Sequence, residues 1–192
     1  GVSTFGDLAL TADFPHLRYV NPDAPKGGEM SQWAPGGFDS YNPYTIKGRA
    51  AALSTVMLES LLTAPADEIG AAYCLLCVLF SYEQLRDKGL SSFRAVIAQM
   101  VAKAEVLDDR RVRFTFTPDY PRRDVIQAAG GLPIFSKADF EANHRDLGEG
   151  SNLPYVGSGP YLFDRADIGR SVSWKRNPDY WGANLPINIG RN

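Results

Sequence analysis

The chain has 192 residues, enough for one larger domain or two small ones with a core that needs no disulfide or metal. Hydrophobic residues make up 44% and charged residues 22%, ordinary globular values that argue against disorder and coiled coil. A net charge of -2 argues against a nucleic-acid footprint or a polybasic membrane patch.

No apolar run approaches the ~20 residues that span a bilayer. The opening GVSTFGDLAL has neither a basic nor an apolar leader region, which fits a cytosolic chain or one whose signal peptide has been removed. The 18 glycines and 13 prolines fall in clusters such as NPDAPKGG, APGGFDSYNPY, VGSGPY and RNPDYWG. Clusters of this kind punctuate short strands and turns and speak against a helical bundle.

Residues 21–30 are turn-rich, with Gly27 and Gly28 free to take positive φ. GEMSQWA (28–34) alternates and predicts a short strand, followed by a loop over 34–45 with exposed-type aromatics and an Asn-Pro turn start. Over 50–62 the apolar residues recur at helical spacing, which predicts a helix stopped by Pro65. SYEQLRDKG (81–89) reads as helix with Gly89 at its C-terminal cap. The serines at 91 and 92 suit the start of a helix running to about 100, which passes into a strand at AKAEVLD. RVRFTF (111–116) has the period of a half-buried strand, and DDRR before it makes a tight hairpin. Short helices are predicted over 121–129 and after Ser136, and a second hairpin over YLFDRAD, a turn at Gly169, and SVSWKRN. Strands and helices mix without a strict βαβ rhythm, so the expected class is mixed α/β or α+β.

Catalytic and metal chemistry has little to stand on. The two histidines, His16 and His144, lie in no metalloprotease motif, and no serine sits in G-x-S-x-G. GSGPYL leads into a strand, whereas a phosphate-binding glycine loop opens a helix. The acidic pairs Asp67/Glu68 and Asp108/Asp109 read as solvated turn residues. In RVRFTF the arginines and aromatics fall on opposite faces, a wet face and a core face rather than a nucleic-acid surface. No cofactor, metal or nucleic acid is expected. Cys74 and Cys77 form a C-x-x-C in the most apolar run of the chain, but structural zinc needs about four ligands and a redox pair belongs at the start of a helix in a thioredoxin-like unit.

VGSGPYLFDRADIGRSVSWKRNPDYWG (156–182) resembles the extracellular solute-binding proteins of the oligopeptide and dipeptide ABC importers. The matching positions are Gly157, Gly159, Pro160, Tyr161, Gly169, Arg176, Asn177, Pro178, Tyr180 and Trp181. FGDLAL, YVNPDAPKGGEM, FDSYNPYTIKG, STVMLESLLT, VLFSYEQLRDKG and GGLPIFSKADFE are similar to the subgroup associated with microcin C and murein-type peptides. The resemblance implies a truncated type II periplasmic-binding lobe, lacking the second lobe. It also implies a missing internal segment, with Cys74 and Cys77 at the join; buried thiols or a disulfide there both remain open.

It further implies a core subdomain of 1–47 plus 153–192 and an inserted subdomain of 48–152, shortened around 74–79. The implied function is non-enzymatic capture of a peptide or peptide-like solute in the periplasm, the signal peptide having been removed, for delivery to an inner-membrane ABC permease. An alternative is an interaction subunit docked on a membrane protein complex. The implied ligand-binding residues are Trp33, Gly36, Gly37, Phe38, Asp39 and Tyr41, against the plainer reading of Trp33 and Tyr41 as core aromatics. RNPDYW is expected to support the fold rather than touch ligand.

Overall fold

The computed structural model describes residues 10–11, 13–25, 27–61, 75–108, 111–121, 125–185 and 188–189. Pro65, Asp67, Glu68, Cys74 and Asp109, on which several expectations rest, lie outside the described residues. The elements in chain order are β1 (Glu59–Ser60), α1 (Leu75–Lys88), α2 (Ser91–Met100), β2 (Val101–Asp108) and β3 (Arg111–Phe116). They continue with α3 (Val125–Gly130), β4 (Pro133–Ile134), α4 (Lys137–Ala142), β5 (Tyr161–Asp167) and β6 (Ser171–Arg176). The mixture of helix and strand is the class expected. Among the described residues the strands pair as β1 with β4, β2 with β3, and β5 with β6, all antiparallel.

Both predicted hairpins form. In β3 the arginines and Thr115 are exposed, while Val112, Phe114 and Phe116 are half-buried. Phe114 packs edge-on to Tyr82 of α1, with ring centres 5.4 Å apart. The turn between β5 and β6 places Gly169 at φ +82, a conformation that costs glycine little.

Four local expectations need correction. Residues 28–34 form no strand: Met30 and Trp33 are exposed, and among the described residues no neighbouring strand supplies a ladder for their backbone groups. Residues 50–62 are not a helix. Leu53 takes φ +59, and the segment closes instead through successive tight turns, Ser54 N–H to Ala51 O, Val56 N–H to Leu53 O and Leu58 N–H to Thr55 O. Just before the chain extends into β1, Met57 O accepts from Gly159 N–H at 3.0 Å. Helix α1 begins at Leu75, ahead of the polar stretch that announced it, and runs through Cys77. The serines at 91 and 92 do not cap α2; Leu90 occupies the capping position with no side-chain bond. By contrast, Ser136 does cap α4, its Oγ accepting from Asp139 N–H at 3.2 Å.

The core lies where α1, α2, α4 and the β1–β4 pair meet. Leu85, Ile97, Met100, Phe135 and Leu147 are essentially inaccessible. Phe135 stands at the middle of an aromatic group, edge-on to Tyr44 and tilted against Phe140 and Tyr155. A charged pair is enclosed beside it. Arg145 and Asp139 have side chains 6% and 4% exposed, with Nε 2.8 Å from Oδ2, close enough for charge pairing but too oblique for a hydrogen bond. The remaining guanidinium nitrogens donate to Asp139 Oδ1, Ser151 Oγ and the carbonyls of Leu153 and Pro154. The guanidinium also stands 4.9 Å over the Tyr155 ring.

Candidate functional site

The loop carrying the expected ligand-binding residues is built on a buried asparagine. Asn42 is 1% exposed, and its Nδ2 donates to the carbonyls of Leu147 and Glu149 at 2.8 and 2.7 Å. Its Oδ1 accepts from Tyr44 N–H, closing an Asx turn at the Asn-Pro step. Ser40 Oγ, also buried, accepts from the N–H groups of Asn42 and Ser151. Thr45 Oγ1 donates to Gly148 O, and Lys47 pairs with Glu149. The stretch 40–47 is thereby sewn to 147–151. A parallel bridge between Ser40 and Ala50 closes the other side.

The six expected residues separate into two groups on this scaffold. Tyr41 is 2% exposed and lies edge-on to Phe163 and Trp174, at 5.6 and 6.5 Å. It joins the loop to the β5–β6 hairpin, and burial pushes its phenol pKa up. Its place is the one the plainer reading gave it. Trp33 is 87% exposed. Gly36, Gly37 and Asp39 are exposed too, and Phe38 is half-buried with its ring 5.9 Å from that of Tyr41. Asp39 is a loop brace: its Oδ1 accepts from Arg49 N–H at 2.6 Å.

Both glycines answer to tight surroundings. A Cβ on Gly37 would stand 2.7 Å from Gly169 O, so the loop rests directly on the hairpin turn. Gly36 takes φ +79 and lies under the Arg49 guanidinium. The exposed part of the loop thus carries the Trp33 ring and, over Gly36, the Arg49 guanidinium. Nothing in it resembles a nucleophile with a base.

RNPDYW lies against β1. Glu59 accepts from Ser158 Oγ at 2.6 Å, and from Trp181 Nε1 and Tyr180 Oη at 3.1 Å each. Asn177 ties the segment to the glycine turn, its Nδ2 donating to Gly159 O and its N–H to Pro160 O. A built Cβ would reach 1.9 Å from Met57 O at Gly157 and 2.6 Å from Val56 O at Gly159. The glycines are thus spaced for backbone contact with the stretch before β1, not for phosphate.

Sequence reasoning missed Asn42, the Asp139–Arg145 pair, Arg49 and Glu59. Of these only Asn42 carried a signal, as the start of an Asn-Pro turn. A shallow depression lined by Leu61, Val78, Val112 and Phe114 shares no residue with the loop and borders residues that are not described. Among the described residues no cluster of three or more metal-ligating side chains occurs, and no helix is long and apolar enough to cross a membrane.

Comparison with known proteins agrees with the sequence resemblance. The model for the middle part of the bacterial extracellular solute-binding proteins, family 5, matches residues 77–190. A candidate binding protein of Brucella melitensis biotype 1 is 33% identical over 233 residues, covering 100% of this chain and 37% of the relative. The peptidoglycan-binding protein YepA of Agrobacterium fabrum is 33% identical over 231 residues, covering 99% and 37%. This chain thus spans little more than a third of the length of these relatives. Both aligned spans exceed its 192 residues, so within them the relatives hold residues that it does not. Among solved structures, NikA of Brucella suis, in complex with Fe(III)-EDTA, superposes with a TM-score of 0.56 at 17% identity. The match covers 78% of this chain and 36% of NikA, and shows a shared fold alone.

Proposed function

The chain belongs to the family 5 bacterial extracellular solute-binding proteins, and from that premise we propose that it forms one wall of a site that captures a peptide or peptide-like solute in the periplasm. The family match over residues 77–190 carries this reading. The surface of Trp33, Gly36, Gly37 and Phe38 is where we place the solute, with Asp39 and Tyr41 holding that surface in shape. An aromatic plane accepts varied side chains, and glycines let a ligand backbone come close.

We assign delivery of the solute to an inner-membrane ABC permease, with no chemical change in it. We also assign residues 1–47 and 153–192 to a core subdomain and 48–152 to an insertion; the packing of Tyr41 on Phe163 and Trp174 supports the first grouping. The test is calorimetry of the protein with a library of short peptides and peptidoglycan fragments. Saturable binding that is lost in Trp33→Ala supports the proposal; no binding of any member, in a protein that is folded by circular dichroism, overturns it.

A further inference from the structure

Arg49 has no part in holding the fold through its charge. Other cations are matched, Lys47 two residues before it with Glu149, and Arg170 after the hairpin turn with Asp167. The Arg49 guanidinium makes neither hydrogen bond nor ion pair among the described residues, and the residue is exposed. Yet its backbone is closely held. Its N–H donates to Asp39 Oδ1 at 2.6 Å, and its carbonyl accepts from the N–H groups of Asp39 and Ser40 at 3.0 and 3.2 Å. The next residue, Ala50, is bridged to Ser40.

The guanidinium has a berth. A Cβ at Gly36 would meet Nη1 at 1.9 Å and Cζ at 3.0 Å, and φ +79 already disfavours any L side chain there. The cation therefore lies on the bare backbone of Gly36, and its fork of N–H donors is unspent.

We infer that Arg49 is a recognition point for a carboxylate of the captured solute, with Gly36 as the glycine that makes room for it. This rests on the reading that the 33–41 loop takes a peptide-like solute. A planar guanidinium matches a carboxylate with two parallel hydrogen bonds. Asp39 stands against Arg49's own backbone, and its negative charge weighs more against a doubly charged phosphate than against a singly charged carboxylate.

The experiment is a titration of the isotope-labelled protein, followed by NMR at the Arg49 Nε–Hε and Trp33 Nε1–H signals. The probes are N-acetyl-trialanine with a free carboxylate, its C-terminal amide, and sodium acetate at matched concentration. The free acid is expected to bind at least tenfold more tightly than the amide and to move both signals. Arg49→Gln should abolish that difference while the amide signals of Asp39 and Ser40 stay in place, because Arg49's backbone makes those bonds. Arg49→Lys should keep only part of it. If acid and amide move the Trp33 signal equally, the carboxylate assignment falls and the peptide reading stands. If neither moves any signal, both fall. If acetate alone matches the peptide acid at Arg49, the arginine is an ordinary surface cation and the inference is overturned.

Discussion

Asp139 and Arg145 show what a single buried charge can demand of a fold. Each is enclosed, and between them they reach the α4 cap, Ser151 and the carbonyls of Leu153 and Pro154. Asp139→Ala would leave a guanidinium buried without its counter-charge, at a cost of about 3–5 kcal/mol. Urea unfolding should show that loss, and the double change Asp139→Leu with Arg145→Met should be milder than Asp139→Ala alone. Tyrosine ionisation gives a second prediction. Burial pushes the Tyr44 and Tyr155 phenols far above the usual range, with Arg145 opposing the rise slightly at Tyr155. Below pH ~10 both states hold the proton and stability is unaffected. Above it the unfolded chain loses protons that the folded chain keeps, so stability should fall by about 1.4 kcal/mol per tyrosine per pH unit. Chemical denaturation between pH 9 and 11.5 checks the sign, and Tyr44→Phe should flatten the slope. Such residues were hard to read beforehand. An Asp, an Arg and an Asn look like surface residues until the fold encloses them: Arg145 and Asp139 meet across a turn of six residues, and Asn42 reaches carbonyls more than a hundred residues away.

Elements were legible where the pattern was local and self-sufficient. The β2–β3 and β5–β6 hairpins carry their own alternation, and β5–β6 has a glycine at the turn, so each strand predicts its partner. Ser136 with an aspartate three residues on was readable for the same reason, and Ser136→Ala should cost about 1 kcal/mol, seen as faster exchange of the Asp139 amide. Residues 50–62 failed because apolar spacing says which side chains seek burial, not which backbone bonds form. Leu53 at positive φ breaks the helical run from within, and Gly159 takes the Met57 carbonyl from outside the segment. Residues 28–34 failed for want of a neighbour. The start of α1 was obscured by a run apolar on every face, which carries no period at all. Contact between elements is equally demanding at Gly37, where Gly37→Ala should push the loop off the 169 turn. The change should perturb Trp33 fluorescence and solute binding while leaving the β2–β3 hairpin signals unmoved.

At the scale of the whole molecule, the loop surface is one-sided. The exposed Trp33 and the Gly36–Gly37 backbone face solvent, whereas small-ligand sites normally bury most of their ligand. A single wall still bears the cost of fixing the ligand's translation and rotation, about 4–15 kcal/mol. Peptide binding by this 192-residue chain alone is therefore expected near the millimolar range, against much tighter binding by a longer, two-walled protein; parallel titrations would check it. The Glu59 contacts have a consequence in time rather than in space. Ser158, Tyr180 and Trp181 reach Glu59 from about a hundred residues away along the chain, so that contact forms only after a long loop has closed. The hairpins, whose contacts are local, are expected to assemble early and the junction at Glu59 late. Glu59→Gln should then quicken unfolding and leave the refolding rate almost untouched, a split that stopped-flow measurement of tryptophan fluorescence would resolve.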